Sequence, residues 1–195
     1  MRGPSAEKHI GRSACGGCRM PGRGRTEREG RAVNTEILRA NGFQLQNGVL
    51  RREGPCTLTE LRIPEGVVCI EGGCFAGCRT LVRTELPESL RELGVSAFAD
   101  CTALQSVTLR EGVTRIRKCC FSGCVSLRSF EIPESVTGIG EWAFRGCRSL
   151  GRVRIPPGVT DICAEVFLDC PSLGVEAEPG SFAAAYAEKF GLRLA

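Results

Sequence analysis

The triplet Phe-x-x-Cys-x-x-Leu recurs five times at an unvarying spacing of 23 residues, as Phe75/Cys78/Leu81, Phe98/Cys101/Leu104, Phe121/Cys124/Leu127, Phe144/Cys147/Leu150 and Phe167/Cys170/Leu173. Self-similarity at one fixed period of this length marks a stack of units, none of which can hide its apolar face until its neighbours cover it. The leucine column reaches back one unit, to Leu58, and three more columns obey the same period. They are Ile63, Leu86, Leu109, Ile132 and Ile155; Val67, Leu90, Val113, Val136 and Val159; and Ile70, Leu93, Ile116, Ile139 and Ile162. The unit therefore reads Leu-x-x-[LTVF]-x-[IL]-Pro-x-x-[VL]-x-x-[IL]-x4-Phe-x-x-Cys-x-x.

Within each unit Leu-x-x-[LTVF]-x-[IL] alternates with period two, which predicts a short strand. Stacking would set these strands parallel, about 4.8 Å apart. Pro64, Pro87, Pro133 and Pro156 end four of the five strands, because proline cannot donate to a ladder; Arg110 holds the fifth position. Gly77, Asp100, Gly123, Gly146 and Asp169 mark a turn on the return. At the C-terminus, Ser181 is a candidate N-cap for a helix with Phe182, Tyr186 and Phe190 at four-residue steps and Gly191 as its stop. That aromatic stripe is expected to lid the last coil.

The unit, plainest in Phe130-Glu-Ile-Pro-Glu-Ser-Val-Thr-Gly-Ile-Gly-Glu-Trp-Ala-Phe-Arg-Gly-Cys147, resembles the BspA-type leucine-rich repeat. Phe43 to Gly54 is similar to the strand pair that precedes the first repeat in that family, and Pro179 to Leu192 to its closing helix. The resemblance covers about residues 43–195. It implies a right-handed solenoid of about five coils with a strand cap before them and a helical cap after them. The expected organisation is a disordered basic Gly/Arg-rich tail over 1–36, a capping unit over 37–57, five leucine-rich repeats over 58–173 and a helical cap over 174–195. Departures from the family pattern are Arg110, Thr84 in an apolar column, the cysteine load and the N-terminal stretch.

Of 195 residues, 42% are hydrophobic and 25% charged, ordinary for a globular chain. The charge is uneven. Residues 1–32 carry eight basic against three acidic side chains, a net of +5 that exceeds the +4 of the whole chain. This stretch has no apolar periodicity and is expected to stay disordered. Its Arg19, Arg23, Arg25, Arg28 and Arg31 admit a nucleic-acid-associated role. No apolar run of about 7 to 15 residues follows the N-terminal charges, which favours a cytoplasmic protein. The family resemblance instead implies a bacterial cell-surface or secreted protein. No apolar stretch reaches the roughly 18 residues of a membrane span.

Thirteen cysteines invite a disulfide framework. Five of them, however, stack in one column and point the same way, so a ladder of reduced thiols is expected, with Cys69, Cys119 and Cys163 as the reactive edge positions. Cys15-Gly-Gly-Cys18 is half of a zinc site and lacks a second pair, and His9 is the single histidine. Neither a nucleophile-histidine pair nor a phosphate-binding glycine loop is present. The chain is accordingly read as a non-enzymatic protein-protein interaction module, monomeric, without cofactor, metal or small-molecule substrate. Adhesion to a host or matrix protein is the alternative that the family implies. The candidate partner-binding residues face away from the core in two strand columns: Glu60, Arg83, Ser106, Ser129 and Arg152, then Arg62, Glu85, Thr108, Glu131 and Arg154. Glu60 with Arg83, Arg62 with Glu85, and Glu131 with Arg154 are expected to pair across rungs. Trp142, with Gly73, Ser96, Cys119 and Glu165 in its column, is expected to be an exposed aromatic anchor.

Overall fold

The structure is a computed structural model that describes residues 36–195. The tail expected over 1–36 falls outside it except for Glu36, which is helical rather than disordered. Residues 36–40 form α1, an element absent from the sequence-based expectation of a purely stranded cap. It exists because Leu38 plugs the end of the core, and it stops where the Asn41 amide donates to Ile37 O and Gly42 takes a left-handed φ of 76°. Strands β1 (Phe43–Gln46) and β2 (Val49–Arg52) then form an antiparallel hairpin through Asn47-Gly48. Both turn residues have positive φ, as a two-residue hairpin that matches strand twist requires.

Each coil contributes two short parallel strands. The first set is β3 (Glu60–Arg62), β5 (Arg83–Glu85), β7 (Ser106–Thr108), β9 (Ser129–Glu131) and β11 (Arg152–Ile155). The second is β4 (Cys69–Ile70), β6 (Glu92–Leu93), β8 (Arg115–Ile116), β10 (Gly138–Ile139) and β12 (Asp161–Ile162). The solenoid has about six turns, one more than the five repeats counted in the sequence, because the ladders run on into both caps. Thus β2 pairs with β4 before the first coil, and β13 (Gly174–Ala177) and β14 (Arg193–Leu194) extend the sheet after β11. Pairing is interrupted between β6 and β8 and between β7 and β9, so the two ladders divide into four short sheets.

The five phenylalanines form one row. Phe75, Phe98, Phe121, Phe144 and Phe167 stack with centroids 4.8 to 5.5 Å apart and planes within 17° of parallel. Phe43 of the hairpin closes one end at 4.9 Å, and Tyr186 of the closing helix α2 (Phe182–Lys189) meets Phe167 edge-on at 6.4 Å. Ser181 caps α2 by accepting from the Ala184 N–H, as the sequence indicates. The lid differs from expectation in its composition: Ala183, Ala184, Tyr186 and Ala187 are its buried residues, while Phe182 and Phe190 stay exposed. Beside the rings, Cys101, Cys124, Cys147 and Cys170 each donate their thiol to the carbonyl of the phenylalanine 26 residues earlier, at 3.0 to 3.2 Å.

Two positions per coil adopt the left-handed region. One is the predicted turn column of Gly77, Asp100, Gly123, Gly146 and Asp169; the other is the column of Gly73, Ser96, Cys119, Trp142 and Glu165. Coils are also clamped in pairs by side chains. Glu65 accepts the backbone N–H groups of Glu88 and Ser89, and Ser89 Oγ accepts from Gly66 N–H while donating to Val67 O. The same set recurs two coils on, where Glu111 accepts from Glu134 and Ser135, and Ser135 Oγ joins Gly112 to Val113. These N–H groups, that of Ser135 foremost, hold the Glu111 carboxyl below the usual carboxylate range.

Thr84 is the one polar residue in the buried core of the described chain, and its Oγ1 has no hydrogen-bond partner. It sits between Leu61 and Val107 in the ladder, where an unmet hydroxyl carries its full desolvation cost. Replacing it with the isosteric Thr84→Val is expected to raise the urea unfolding free energy by about 1 to 2 kcal/mol; an unchanged or lowered midpoint would contradict the unsatisfied hydroxyl.

Candidate partner-binding face

The first strand of each coil points its middle residue inward and its flanking residues outward, the alternation a pleated backbone imposes. Leu61, Thr84, Phe130 and Val153 are therefore buried, and Val107 half-buried. Their neighbours Glu60, Arg62, Arg83, Glu85, Ser106, Thr108, Ser129, Glu131, Arg152 and Arg154 share the opposite side, all exposed except the half-exposed Glu85 and Ser106. Register puts Glu60 beside Arg83, Arg62 beside Glu85, Arg83 beside Ser106, and Arg154 beside Glu131. The β7–β9 interruption falls between Ser106/Thr108 and Ser129/Glu131, in the middle of this face. There the bulky Phe130 replaces the smaller side chains of its column and wedges between Phe121 and Phe144, tilted 55° and 66° to them.

The ion pairs follow reach rather than register alone. Arg62 meets Glu85 at 3.5 Å as expected. Arg154 turns instead to Glu134, at 3.0 Å, a carboxylate three residues beyond the end of β9. Arg152 grips Glu176 of β13 at 2.6 Å, a pair between the last coil and the cap that the repeat pattern does not show because Glu176 lies outside it. A groove of about 370 Å³ opens next to these two arginines, lined by Arg154, Ile155, Pro156, Glu176, Ala177 and Ala195 among others.

Trp142 stands apart from the strand columns, on the left-handed turn between β10 and β11, with φ 58°. It is half-buried rather than open. Its Nε1–H donates to Glu165 at 2.7 Å, Lys118 Nζ lies 4.5 Å from the ring centroid and the Arg145 guanidinium 5.6 Å away. Lys118 in turn pairs with Glu141 at 2.6 Å, and that hydrogen bond raises its pKa. The indole is thus already engaged by its own chain, by two cations over the ring and by a carboxylate at its edge. The column companions Ser96, Cys119 and Glu165 share its backbone conformation, and Gly73 at the column's head was the sequence signal for it.

Most of the other perturbed groups are core thiols; burial also raises the Tyr186 phenol of α2. Burial pushes Cys74 up to about 12 and Cys170 up to about 11, and burial likewise raises Cys120 and Cys147. Cys124 is raised first by its hydrogen bond with Cys101 and then by burial. Such thiols stay protonated near neutrality and pack as small hydrophobes. Cys119 and Cys163 are half-exposed as expected, but Cys69 is fully buried in β4, where it lies between Val49 of the cap hairpin and Glu92 of β6 in the ladder. Among the described residues there is no group of three or more His, Cys, Asp or Glu placed to hold a metal ion, and no helix long and apolar enough to cross a membrane. Cys15, Cys18 and His9 lie outside the described residues.

Residues 53–174 match the BspA type leucine rich repeat region in six copies. The chain belongs to this family. Its coils superpose on solved leucine-rich repeats from several bacteria. A leucine rich cell surface protein of Faecalibacterium prausnitzii A2-165 aligns with TM-score 0.67 and 33% identity over 74% of this chain. The leucine rich repeat protein of T. pallidum gives 0.62 and 34% over 69%, and a leucine-rich repeat protein of Bacteroides ovatus ATCC 8483 gives 0.63 and 30% over 70%. The BspA-type chain spans 67% of the T. pallidum protein but only 39% of the other two. No curated protein matches it. The fold is that of a protein-interaction module.

Because the arginines of these surface pairs are half or more exposed, each pair contributes little to stability. Arg154→Ala is expected to lower the unfolding free energy by less than about 1 kcal/mol in urea titration; a loss of several kcal/mol would show that the face is structural.

Proposed function

We propose that the chain is a non-enzymatic interaction module that docks a polar protein partner on the outer side of its first-strand ladder. The observation that carries the reading is the alignment of Glu60, Arg62, Arg83, Glu85, Ser106, Thr108, Ser129, Glu131, Arg152 and Arg154 on one face of a backbone fixed by core stacking. Side chains mounted on rigid rungs lose little freedom on docking. Without aromatic anchors on that face, specificity comes from charge complementarity, and the association rate depends on salt. At the end of the face, Arg152 and Arg154 are the exposed cations, and acidic side chains of a partner would engage them in competition with Glu176 and Glu134. Trp142 serves as a secondary contact only if its clamp of Lys118, Arg145 and Glu165 opens.

A second reading, attachment at a bacterial surface to a host or matrix protein, is favoured by the description of the F. prausnitzii neighbour as a cell surface protein. The nucleic-acid reading has only the basic stretch 1–32 to rest on.

The test compares the full chain with the double variant Arg152→Glu/Arg154→Glu as bait for proteins of the producing cells and for purified matrix proteins. Proteins held by the wild type, released at about 1 M salt where the screening length is about 3 Å, and not held by an equally folded double variant are the expected result. Equal retention by both baits would overturn the assignment of this face.

A further inference from the structure

The cysteine ladder is broken at its first rung. Every later rung donates its thiol to the carbonyl of the residue 26 positions earlier, always a phenylalanine. For Cys78 that position is Arg52, which stands one 23-residue repeat before Phe75, and the bond runs the other way: Arg52 Nη1 donates to Cys78 Sγ at 2.7 Å. Arg52 Nη2 is fixed by Ala76 O at 2.7 Å, so the guanidinium is held against the sulfur. Cys56, half-exposed on the segment between β2 and β3, packs against the same corner. It stands one residue past the position one 23-residue repeat before Cys78, and its thiol interacts with the Cys78 thiol, the Leu58 backbone and the Arg52 side chain.

We propose that Cys56 and Cys78 form a thiol–disulfide exchange site, in which Cys56 is the attacking thiolate and Cys78 the resolving thiol, and whose oxidised form bonds the N-terminal cap to the first coil. The hydrogen bond from Cys78, with the Leu58 N–H and the Arg52 charge behind it, brings the Cys56 thiol down to about 6, while the hydrogen bond to Cys56 and then burial push Cys78 up. One negative charge is thus shared beside one cation, the arrangement that makes a thiol reactive at neutral pH. The co-reactant is a low-molecular-weight disulfide. Cys56 thiolate attacks one of its sulfurs, forming a mixed disulfide and expelling the other half as a thiolate. Cys78 sulfur then attacks the Cys56 sulfur, the second half leaves as a thiolate, and the Cys78 proton passes to one of the two leaving thiolates. Two protein thiols are oxidised and one external disulfide is reduced to two thiols. Deeper rungs do not compete, since their thiols are committed to phenylalanine carbonyls and are fully or nearly fully buried.

The experiment uses the reduced full chain and two readouts. In the first, alkylation by iodoacetamide is followed peptide by peptide across pH. Half-maximal reactivity of Cys56 is expected near pH 6 in the folded chain, moving towards the ordinary thiol value of about 8.5 in urea and upward in Arg52→Gln. In the second, incubation with glutathione disulfide and non-reducing tryptic mapping should yield peptide 53–62 joined to 63–79, with fragmentation placing the bond at Cys78 rather than Cys69 or Cys74. A Cys56 midpoint near 8.5 in the folded chain, or a cross-link map in which these two peptides stay separate while others join, would overturn the proposal. Both readouts on the wild-type chain suffice if Arg52→Gln fails to fold.

Discussion

One repeat distance governs this molecule. Backbone ladders place neighbouring strands about 4.8 Å apart, and the stacked phenylalanines, at 4.8 to 5.5 Å, fit the same step. The rings lie near-parallel, one over the next, at the spacing that the backbone sets; where a second aromatic intrudes, as Phe130 does, it meets the stack at a steep angle and the strand ladder is interrupted beside it. Each ring covers the next, so no coil has a finished apolar face of its own. Phe43 and Tyr186 finish the row at its two ends, which is why the hairpin and α2 belong to the folding unit rather than being appendages to it.

Coil-to-coil coupling is not uniform. The Glu65/Ser89 and Glu111/Ser135 clamps join coils in twos, and Arg115 reaches past Gly138 to Asp161 at 2.5 Å, spanning two coils over a residue without a side chain. Between the second and third coils the second ladder lapses and the clamp set is not repeated. The array therefore has a two-coil rhythm laid over its 23-residue period, and the thiol ladder, running through every junction from Cys101 onward, is continuous across it.

How much of this was legible depended on whether a residue's partner is another copy of itself. The phenylalanine, valine and isoleucine columns contact their own repeats, so a fixed period in the sequence is a map of their packing. The turn column of Gly77 and Asp100 was legible for the same reason, and the Ser181 cap because its geometry is local. The candidate face could be read as far as which residues point outward, because period two dictates that. Its ion pairs could not: Arg154 chose Glu134, and Arg152 chose Glu176, through side-chain reach that register does not specify. Trp142 looked exposed beside small column companions, yet its neighbours Lys118, Arg145 and Glu165 come from three different coils and close over it. Cys69 looked like an edge; its burial, like the Arg52 corner beside Cys56, involves the cap hairpin docked on the first coil.

The account stands on interchangeable coils held in one register, and excision of a coil probes it most directly. Two shortened chains would be compared by circular dichroism and urea unfolding, one lacking residues 104–126, a full 23-residue period, and one lacking 104–125, a residue less. Removal of the full period should leave every column aligned and give a folded, cooperative, less stable solenoid with a smaller m-value, since less surface is exposed on unfolding. The shorter excision should misalign all columns beyond the cut and abolish cooperative unfolding. Equal tolerance of both cuts, or equal collapse, would contradict a stack built on a single repeating step.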